Sequence, residues 1–307
     1  MPARRRRKTA RRSKRGRIRW GALFVIAVFL IAVVYGLSVV NRQIRSYDSQ
    51  QHRRQPVAEN STEPAAVSSE PSAESSPLVA PLPSASVAKA RLAIIIDDCG
   101  YSMERDRRFL QLPIPITLSI LPMTPHGREI AQEAQDAGKF VMLHLPMEPD
   151  SPLAHPGPGA ITTAMNDAQV ESQVESDIDS LPPLPGANNH MGSKATSDER
   201  VMHDVLDVLQ KRHLFFIDSV TSGSSVGGSI AKQLGVATAS RDVFLDNFTD
   251  LKYVEGQLSE AQRVTLKQGT AIAIGHPNAT TAEALAAFIP KMEAAGITFV
   301  PAETLVH

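Results

Sequence analysis

Residues 92–100 read LAIIIDDCG, and this stretch decides the fold class. A uniformly apolar run without alternation is typical of a strand that is buried on both faces. Further apolar runs follow at 116–120, 140–143, 215–217, 271–274 and 297–300, with amphipathic stretches of helical spacing between them. Gly138, Gly269 and Gly296 stand between a helical stretch and the next run, where C-capping glycines belong. The alternation predicts one α/β domain over residues 91–307, with a parallel sheet that is doubly wound or closed as a barrel.

The N-terminus has a different character. Residues 1–19 carry eleven Lys or Arg and no acid, and residues 21–40 read GALFVIAVFLIAVVYGLSVV without a charge. About 20 apolar residues span a bilayer as a helix, and the basic block keeps its side in the cytoplasm. We therefore expect a cytoplasmic tail at 1–19 and one transmembrane helix at 20–40. A cleaved signal peptide is the alternative, but the apolar run is longer than usual and no small-residue cleavage site follows it.

Residues 41–90 are rich in Pro, Ser, Ala and Glu and poor in large apolar side chains. Such a segment cannot bury enough surface to offset its ordering entropy, so we expect a disordered linker. The predicted topology is a single-pass protein of the bacterial inner membrane with its C-terminal domain in the periplasm or outside the cell. Beside a membrane span, the basic block is better explained by topology and lipid contact than by nucleic acid, and no nucleic-acid partner is expected.

Chemically capable residues follow the apolar runs at their C-terminal ends. They are Asp97, Asp98, His144, Asp218 and His276, and His190 stands in the polar segment PGANNHMGS. The C-terminal ends of parallel strands converge on one face, so these side chains can meet in one cleft. Histidine and carboxylate groups are ordinary zinc ligands, and the single cysteine excludes a cysteine-based zinc cluster. A divalent metal, with zinc first, is therefore the expected cofactor.

The segments IIIDDCGY, LHLPMEP, NNHMGS, FIDSVTS and the final GHP resemble those of the divergent polysaccharide deacetylases. The resemblance covers roughly residues 91–307 and implies a distorted (β/α) barrel with about seven strands. It implies Asp97 as general base, Asp98 as metal ligand and His276 as general acid. It also implies metal-dependent removal of acyl groups from the amide nitrogen of acetylated sugars in an envelope polysaccharide or peptidoglycan-like glycan.

The metal histidines depart from the usual family pattern, in which two of them stand four residues apart on one loop. Here Glu148 occupies the fourth position after His144, so His190 is the expected second imidazole. Glu148 is then a ligand, a partner of a histidine, or a surface acid. Asn188 and Asn189 are candidates for holding sugar hydroxyls or form an ordinary turn.

Asp218 is a candidate partner of a histidine or a sugar, or a cap for the helix after it. His126, His155, His203 and His213 are expected to play surface or core roles. Two other functions remain open from the sequence. One is an envelope module of the same fold that binds glycan or a protein without catalysis. The other is a metal-free glycoside hydrolase using Asp97 and Asp218, which needs two separated carboxylates.

Overall fold

The computed structural model describes residues 90–307. The predicted tail, transmembrane helix and most of the linker lie outside these residues. Among the helices of residues 90–307, none is both long enough and apolar enough to cross a bilayer.

The strands form one all-parallel sheet. In chain order they are β1 (Ala90–Cys99), β2 (Ile116–Ile120), β3 (Phe140–Met147), β4 (Gly186–Met191), β5 (Phe215–Asp218), β6 (Thr238–Ser240), β7 (Val243–Phe244), β8 (Thr270–Gly275) and β9 (Ile297–Phe299). The order across the sheet is β6-β5-β4-β3-β2-β1-β8-β7. This order is that of a (β/α) barrel, interrupted between β6 and β7, and it fits the predicted fold class.

Helices alternate with the strands. They are α1 (Met103–Leu110), α2 (Gly127–Asp136), α3 (Asp167–Asp179), α4 (Glu199–Lys211), α5 (Gly227–Leu234), α6 (Leu251–Gln268) and α7 (Ala279–Ala294), and short 3₁₀ turns lie at Ala195–Ser197 and Ala302–Leu305. The side chains of Asp198 and Asp250 cap α4 and α6 by accepting hydrogen bonds from backbone N–H groups of the first turn. The three predicted capping glycines all have positive φ, between 69° and 88°.

The uniform apolarity of β1 has a direct structural cause. Leu92, Ile94 and Ile96 pack into the large cluster that the sheet forms with the helices. Ala93 and Ile95 point to the other face, where a second cluster of strand residues is closed by the 302–305 turn. The prediction of a strand buried on both faces is confirmed.

The strand count differs from the expectation of about seven. Eight strands form the path across the sheet, and β9 pairs with the first residues of β1 below the start of its pairing with β2. The additional strands β4, β6 and β7 lack long apolar runs. In β4 the buried positions include Asn188 and Asn189, which are satisfied by side-chain hydrogen bonds rather than by apolar contacts.

Candidate functional site

The C-terminal ends of β1, β3, β4 and β8 converge on one cleft. The strand register places Ile96 of β1 beside Gly275 of β8, one residue before Asp97 and His276 respectively. It also pairs His144 with Asn188 and Pro146 with His190 across β3 and β4. Asp98, His190 and His276 line a cavity of about 470 Å³, which is within the range of small-molecule sites.

Three of the predicted ligands lie together. Oδ1 of Asp98 is 2.9 Å from Nδ1 of His190 and 3.3 Å from Nε2 of His144, and the two ring nitrogens are 3.1 Å apart. Ligand atoms placed about 2.1 Å from a tetrahedral ion are separated by about 3.4 Å. The spacing of the three donors therefore suits one divalent cation.

The Asp98 carboxylate adds an independent sign of such a site. Its Oδ1 is buried and faces the ring nitrogens of His190 and His144 without a hydrogen bond of acceptable geometry, although buried polar atoms are normally satisfied. Burial by itself raises the pKa of Asp98, but the imidazoles of His144 and His190 outweigh it and hold the pKa below its ordinary value. A charged, buried carboxylate beside two imidazole nitrogens fits a cation site.

Asn188 orients the ring of His144. Its Oδ1 lies 2.8 Å from His144 Nδ1 and also accepts a hydrogen bond from the hydroxyl of Ser119, while its Nδ2 donates to Asp97 Oδ1. An amide oxygen only accepts, so His144 Nδ1 carries the proton and Nε2 presents its lone pair towards Asp98. Asn188 was predicted to bind sugar or to support the site residues, and here it contacts both His144, a predicted ligand, and Asp97, the candidate base.

Asp97 lies beneath this group and is 3% exposed. Its Oδ2 is 3.6 Å from Nε2 of His144. Burial raises the pKa of Asp97, and the opposing effects of His144, His276 and the Asn188 hydrogen bond do not cancel this rise. A carboxylate with a raised pKa accepts a proton more readily than an ordinary aspartate does.

His276 faces the same point from β8. Its Nε2 is 3.7 Å from Asp98 Oδ2, and its Nδ1 is 2.8 Å from Oδ1 of Asp246. Burial lowers the pKa of His276, but the Asp246 carboxylate outweighs burial and raises this pKa to about 9. The imidazole is therefore held as a proton donor at neutral pH.

Sequence reasoning missed Asp246. Its carboxylate also accepts hydrogen bonds from His276 N, Asn278 Nδ2 and Thr281 Oγ1, so it fixes the whole turn after β8. The apolar residues 243–245 precede it, which is the same strand-end pattern that identified the other acids. The signal was weak because β7 is only two residues long.

Two predicted residues, Glu148 and Asn189, contact the loops beside this arrangement. Glu148 accepts hydrogen bonds from the backbone and hydroxyl of Thr163 and pairs with Lys194 at 2.7 Å. Asn189 Oδ1 accepts from the backbone N–H of Ser219. These contacts hold neighbouring loops, and neither side chain is free for a metal or a sugar.

Asp218 reaches the start of the following helix only through Ser225 and does not cap the helix itself. Its carboxylate accepts hydrogen bonds from Val220 N and from the hydroxyl of Ser225, and that hydroxyl in turn accepts from Gly227 N at the start of α5. The expected pairing of Asp218 with a histidine is not among its hydrogen bonds.

Backbone strain is concentrated at the same strand ends. Asp98, Met191 and Val220 have φ of 58°, 52° and 49°. The left-handed region is costly for side chains other than Gly, Asn and Asp, and most costly for a β-branched residue such as Val220. Such strain is typical of positions where a functional geometry is imposed by the surrounding structure.

The remaining histidines divide into two groups. His126 pairs with Glu129 at 3.4 Å on the surface, and His203 is exposed on α4. His155, by contrast, lines the cleft together with Tyr101 and Arg105. His155 belongs to the Pro- and Gly-rich stretch at residues 149–159, PDSPLAHPGPG, called here the Pro/Gly loop, and this loop thus lines the cleft.

Two bacterial proteins are similar to this chain in sequence. A protein of Haemophilus influenzae is 40% identical over 202 residues, which are 66% of this chain and 72% of that protein. The Escherichia coli protein YibQ is 35% identical over 226 residues, 73% of this chain and 70% of its own length.

A crystal structure of a protein from Agrobacterium tumefaciens C58 shares the fold. It has a TM-score of 0.69 at 22% identity and covers 73% of this chain and 92% of that one. The family model described as "Divergent polysaccharide deacetylase" matches residues 94–306, which is most of the chain and all of the strand ends described above. The chain belongs to the divergent polysaccharide deacetylase family.

Proposed function

We propose that this protein is a metal-dependent deacetylase that removes acyl groups from the amide nitrogens of an envelope glycan. The observation that carries the proposal is the meeting of three groups at one point. A ligand triad (Asp98, His144 and His190), a buried carboxylate and a protonated histidine all face the same few ångströms of the cleft. Metal-assisted hydrolysis of an amide uses these three functions together.

The ligand triad supports a divalent metal, with zinc as our first choice. Two imidazole nitrogens and one carboxylate oxygen make a three-ligand set of the catalytic type, which leaves a position for water. When bound, such an ion acidifies water and polarises the substrate carbonyl. His144 is held for this task by Asn188, whose amide oxygen keeps the ring in the tautomer with a free Nε2.

Asp97 is the proposed general base. It lies next to the ligands, and its Oδ1 is held by Asn188 while Oδ2 faces the site. Its raised pKa strengthens its affinity for the proton that the attacking water must lose. The buried position keeps bulk water from taking over this step.

His276 is the proposed general acid. The nitrogen of the scissile amide must receive a proton before it leaves as an amine. Asp246 holds His276 in the protonated form and directs its Nε2 towards Asp98. Base and acid are therefore supplied by different strands, β1 and β8, on the two sides of the ligand triad.

The substrate class and location are proposals of the same kind. Family membership supports a polysaccharide, and the apolar segment at 20–40 supports an anchor in the bacterial inner membrane with the barrel outside the cytoplasm. A peptidoglycan-like glycan with N-acetyl groups is the polymer that such a domain would meet there.

The two other functions have less support. A metal-free glycoside hydrolase would use Asp97 and Asp218, but both oxygens of Asp218 are engaged with Val220 N and Ser225. A binding module without catalysis has no need of a buried base and a separate histidine with its own carboxylate. The intact set of proton-transfer groups favours the enzyme.

The test is metal content combined with acetate release. We expect the full-length chain to hold about one zinc per molecule by elemental analysis and to release acetate from N-acetylated glycan oligomers, with loss of both after chelation and recovery on adding zinc.

Asp98→Ala and His190→Ala should lose the metal and the activity. His203→Ala, which removes an exposed histidine on α4, is the matched control and should retain both. Folded protein that binds no zinc, or zinc binding that survives both ligand variants, would refute the proposal.

A further inference from the structure

Arg105 is tied to the turn that follows the proposed general acid. It lies in the first turn of α1, and its Nε donates a hydrogen bond of 2.9 Å to the backbone oxygen of Pro277. Its Nη2 donates to Oδ1 of Asn278 at 3.2 Å. Two bonds to neighbouring residues give this exposed guanidinium a defined position at the rim of the cleft.

Arg105 forms no salt bridge with an acid among residues 90–307, although the buried carboxyl of the adjacent Asp106 acts on it electrostatically. Its neighbours on the same helix are paired, Arg107 with Glu133 and Arg108 with Glu104, each at 2.9 Å. No salt bridge involves Arg105 within the described part of the chain, where both of its hydrogen-bond partners are neutral oxygens. The adjacent Asp106 is buried and accepts from Gly100 N instead.

The remaining charges of the cleft balance one another once a divalent cation is present. The carboxylates of Asp97 and Asp98 match its two positive charges, and Asp246 matches protonated His276. Arg105 is then the unbalanced charge among these groups. A cleft with one unmatched cation attracts an anion, and a guanidinium suits the planar geometry of carboxylate and the oxygens of phosphate.

An exposed aromatic ring lies beside this cation. Tyr101 is 53% exposed and lines the same cleft, with its hydroxyl close to Gly157 of the Pro/Gly loop. Aromatic side chains present a broad apolar face at little entropic cost, which suits the apolar face of a sugar ring. Ring and cation together form a surface for a sugar that carries a negative group.

We propose that Arg105 and Tyr101 form an anion subsite, which makes the preferred substrate an acidic glycan with a carboxylate or phosphate on or next to the acetylated sugar. This proposal rests on the proposed deacetylase function and adds the charge of its substrate. The alternative role for Arg105 is structural, as a brace for the turn after His276. A brace would affect turnover of acidic and neutral substrates equally.

The experiment compares three tetrasaccharides with the zinc-loaded full-length chain. One is the neutral N-acetylglucosamine tetramer, one alternates N-acetylglucosamine with N-acetylmuramic acid and carries carboxylates, and one is an N-acetylglucosamine tetramer bearing phosphate. We expect kcat/KM for an acidic oligomer to exceed that for the neutral one by about tenfold, the size of one charge-assisted contact. The better of the two acidic oligomers identifies the anion, and 0.5 M salt should reduce the preference.

Arg105→Gln should reduce the acidic-to-neutral ratio about tenfold, with the change in KM rather than kcat. Arg105→Lys should restore it only in part, because an ammonium lacks the planar fork. Arg108→Gln removes the same charge from the same helix at a paired position and should leave the ratio unchanged. An equal loss on all three oligomers, carried by kcat, would make Arg105 a brace and overturn the subsite.

Direct binding separates this inference from the proposed function. The three oligomers are titrated calorimetrically into zinc-loaded Asp97→Asn protein, with and without Arg105→Gln. Tighter binding of an acidic oligomer that depends on Arg105 supports the subsite even if no acetate is released by the wild type, which would refute only the deacetylase. Acetate release with equal binding of acidic and neutral oligomers would refute only the subsite.

Discussion

The two sides of the cleft each hold a histidine, but the hydrogen-bond partner of its Nδ1 is neutral on one side and charged on the other. At the ends of β3 and β4, His144 directs Nδ1 to the amide oxygen of Asn188; at the end of β8, His276 directs Nδ1 to the carboxylate of Asp246. A neutral acceptor fixes a tautomer without adding charge, whereas a buried carboxylate stabilises the imidazolium. The partner of Nδ1 therefore suits His144 to the proposed role of metal ligand and His276 to the proposed role of acid.

On the first side the acids face the other ring nitrogen of the histidine, Nε2 of His144. Burial lowers the pKa of His144, but Asp97 and Asp98 outweigh burial, and the net effect is a raised pKa. The two acids that attract a proton to Nε2 of His144 would equally attract a cation. Proton and metal therefore compete for this side, while the proton on His276 is held away from the competition by its own carboxylate.

The largest expected effect on activity comes from replacing Asp97, which lies between His144 and His276. Asp97→Asn removes the proposed base and should lower kcat about 10²–10⁴-fold. The zinc content should stay near the wild-type value, because Asp97 is not in the ligand triad. Steady-state kinetics and elemental analysis on the same preparation check both parts, and an active Asp97→Asn protein would remove Asp97 from the mechanism.

Asp246→Asn tests the acid side. It replaces the carboxylate beside His276 with a neutral amide, like the one of Asn188 beside His144. The pKa of His276 should therefore fall from about 9. An acid must be protonated to act, so wild-type activity should decline as the pH rises through about 9. In the variant that alkaline decline should move towards about 6.5, the ordinary imidazole value, and kcat at pH 8 should fall about 100-fold.

The same pair affects stability in a defined direction. The folded-state pKa of His276 lies above its ordinary value, so the stabilisation is fully present below about pH 6.5 and is lost as the pH rises through about 9. The stability difference between wild type and Asp246→Asn should therefore shrink above pH 9. An unchanged alkaline decline and a pH-independent difference would contradict the role given to Asp246.

Asn188→Ala tests the ligand side. It removes the acceptor that fixes His144 and the donor that holds Asp97, so the dissociation constant for zinc should rise about 10–100-fold. Competition with a metal-sensitive chelator measures this change. Asn189→Ala is the neighbouring control, since its side chain contacts loop residues beyond the triad, and a similar loss in both variants would point to unfolding of β4 instead.

The carboxyl group of Asp177 is a useful contrast to Asp98 and Asp246, because it is buried without a histidine beside it. Asp177 of α3 is buried, its Oδ2 has no hydrogen-bond partner among the described residues, and burial raises its pKa to about 7 against one hydrogen bond from Gln173. Unlike the acids of the cleft, it faces no imidazole, so the neutral form is favoured.

The smallest effect on activity is expected for Asp177→Asn. The unfolded chain ionises Asp177 from about pH 4, while the folded chain resists ionisation up to about pH 7. Wild-type stability should thus fall across this window, and the variant should be more stable above it by on the order of 2–4 kcal/mol. Thermal denaturation between pH 4 and 8 measures this, with zinc content unchanged. Equal pH dependence in the two proteins would contradict the buried neutral state.

Much of this arrangement could be predicted from the chain alone, for a physical reason. The C-terminal ends of parallel strands share one edge, so Asp98 and His276 could be placed together although they are far apart in sequence. The roles of Asn188 and Glu148 could not be predicted, because each depends on a partner brought near by folding. Glu148 meets Lys194 from 46 residues away, and Asn188 meets Ser119 from 69 residues away.

Asp246 and Arg105 were missed for related reasons. Strand β7 has only two residues, which is too short for its hydrophobic pattern to be recognised in the sequence. Whether an arginine on a helix forms a salt bridge cannot be read from the sequence. Predictions for residues 1–89, including the membrane anchor, remain predictions.

The left-handed backbone at Asp98, Met191 and Val220 affects which substitutions would raise the thermal stability of this protein. Each of these residues holds a conformation that glycine would adopt with less strain. A laboratory selection for heat resistance alone would therefore be drawn to glycine at Met191 and Val220, although glycine would also give more freedom to the backbone next to the proposed ligand His190. At Met191, heat tolerance and a fixed position of the proposed ligand His190 are therefore opposing demands on the same peptide unit.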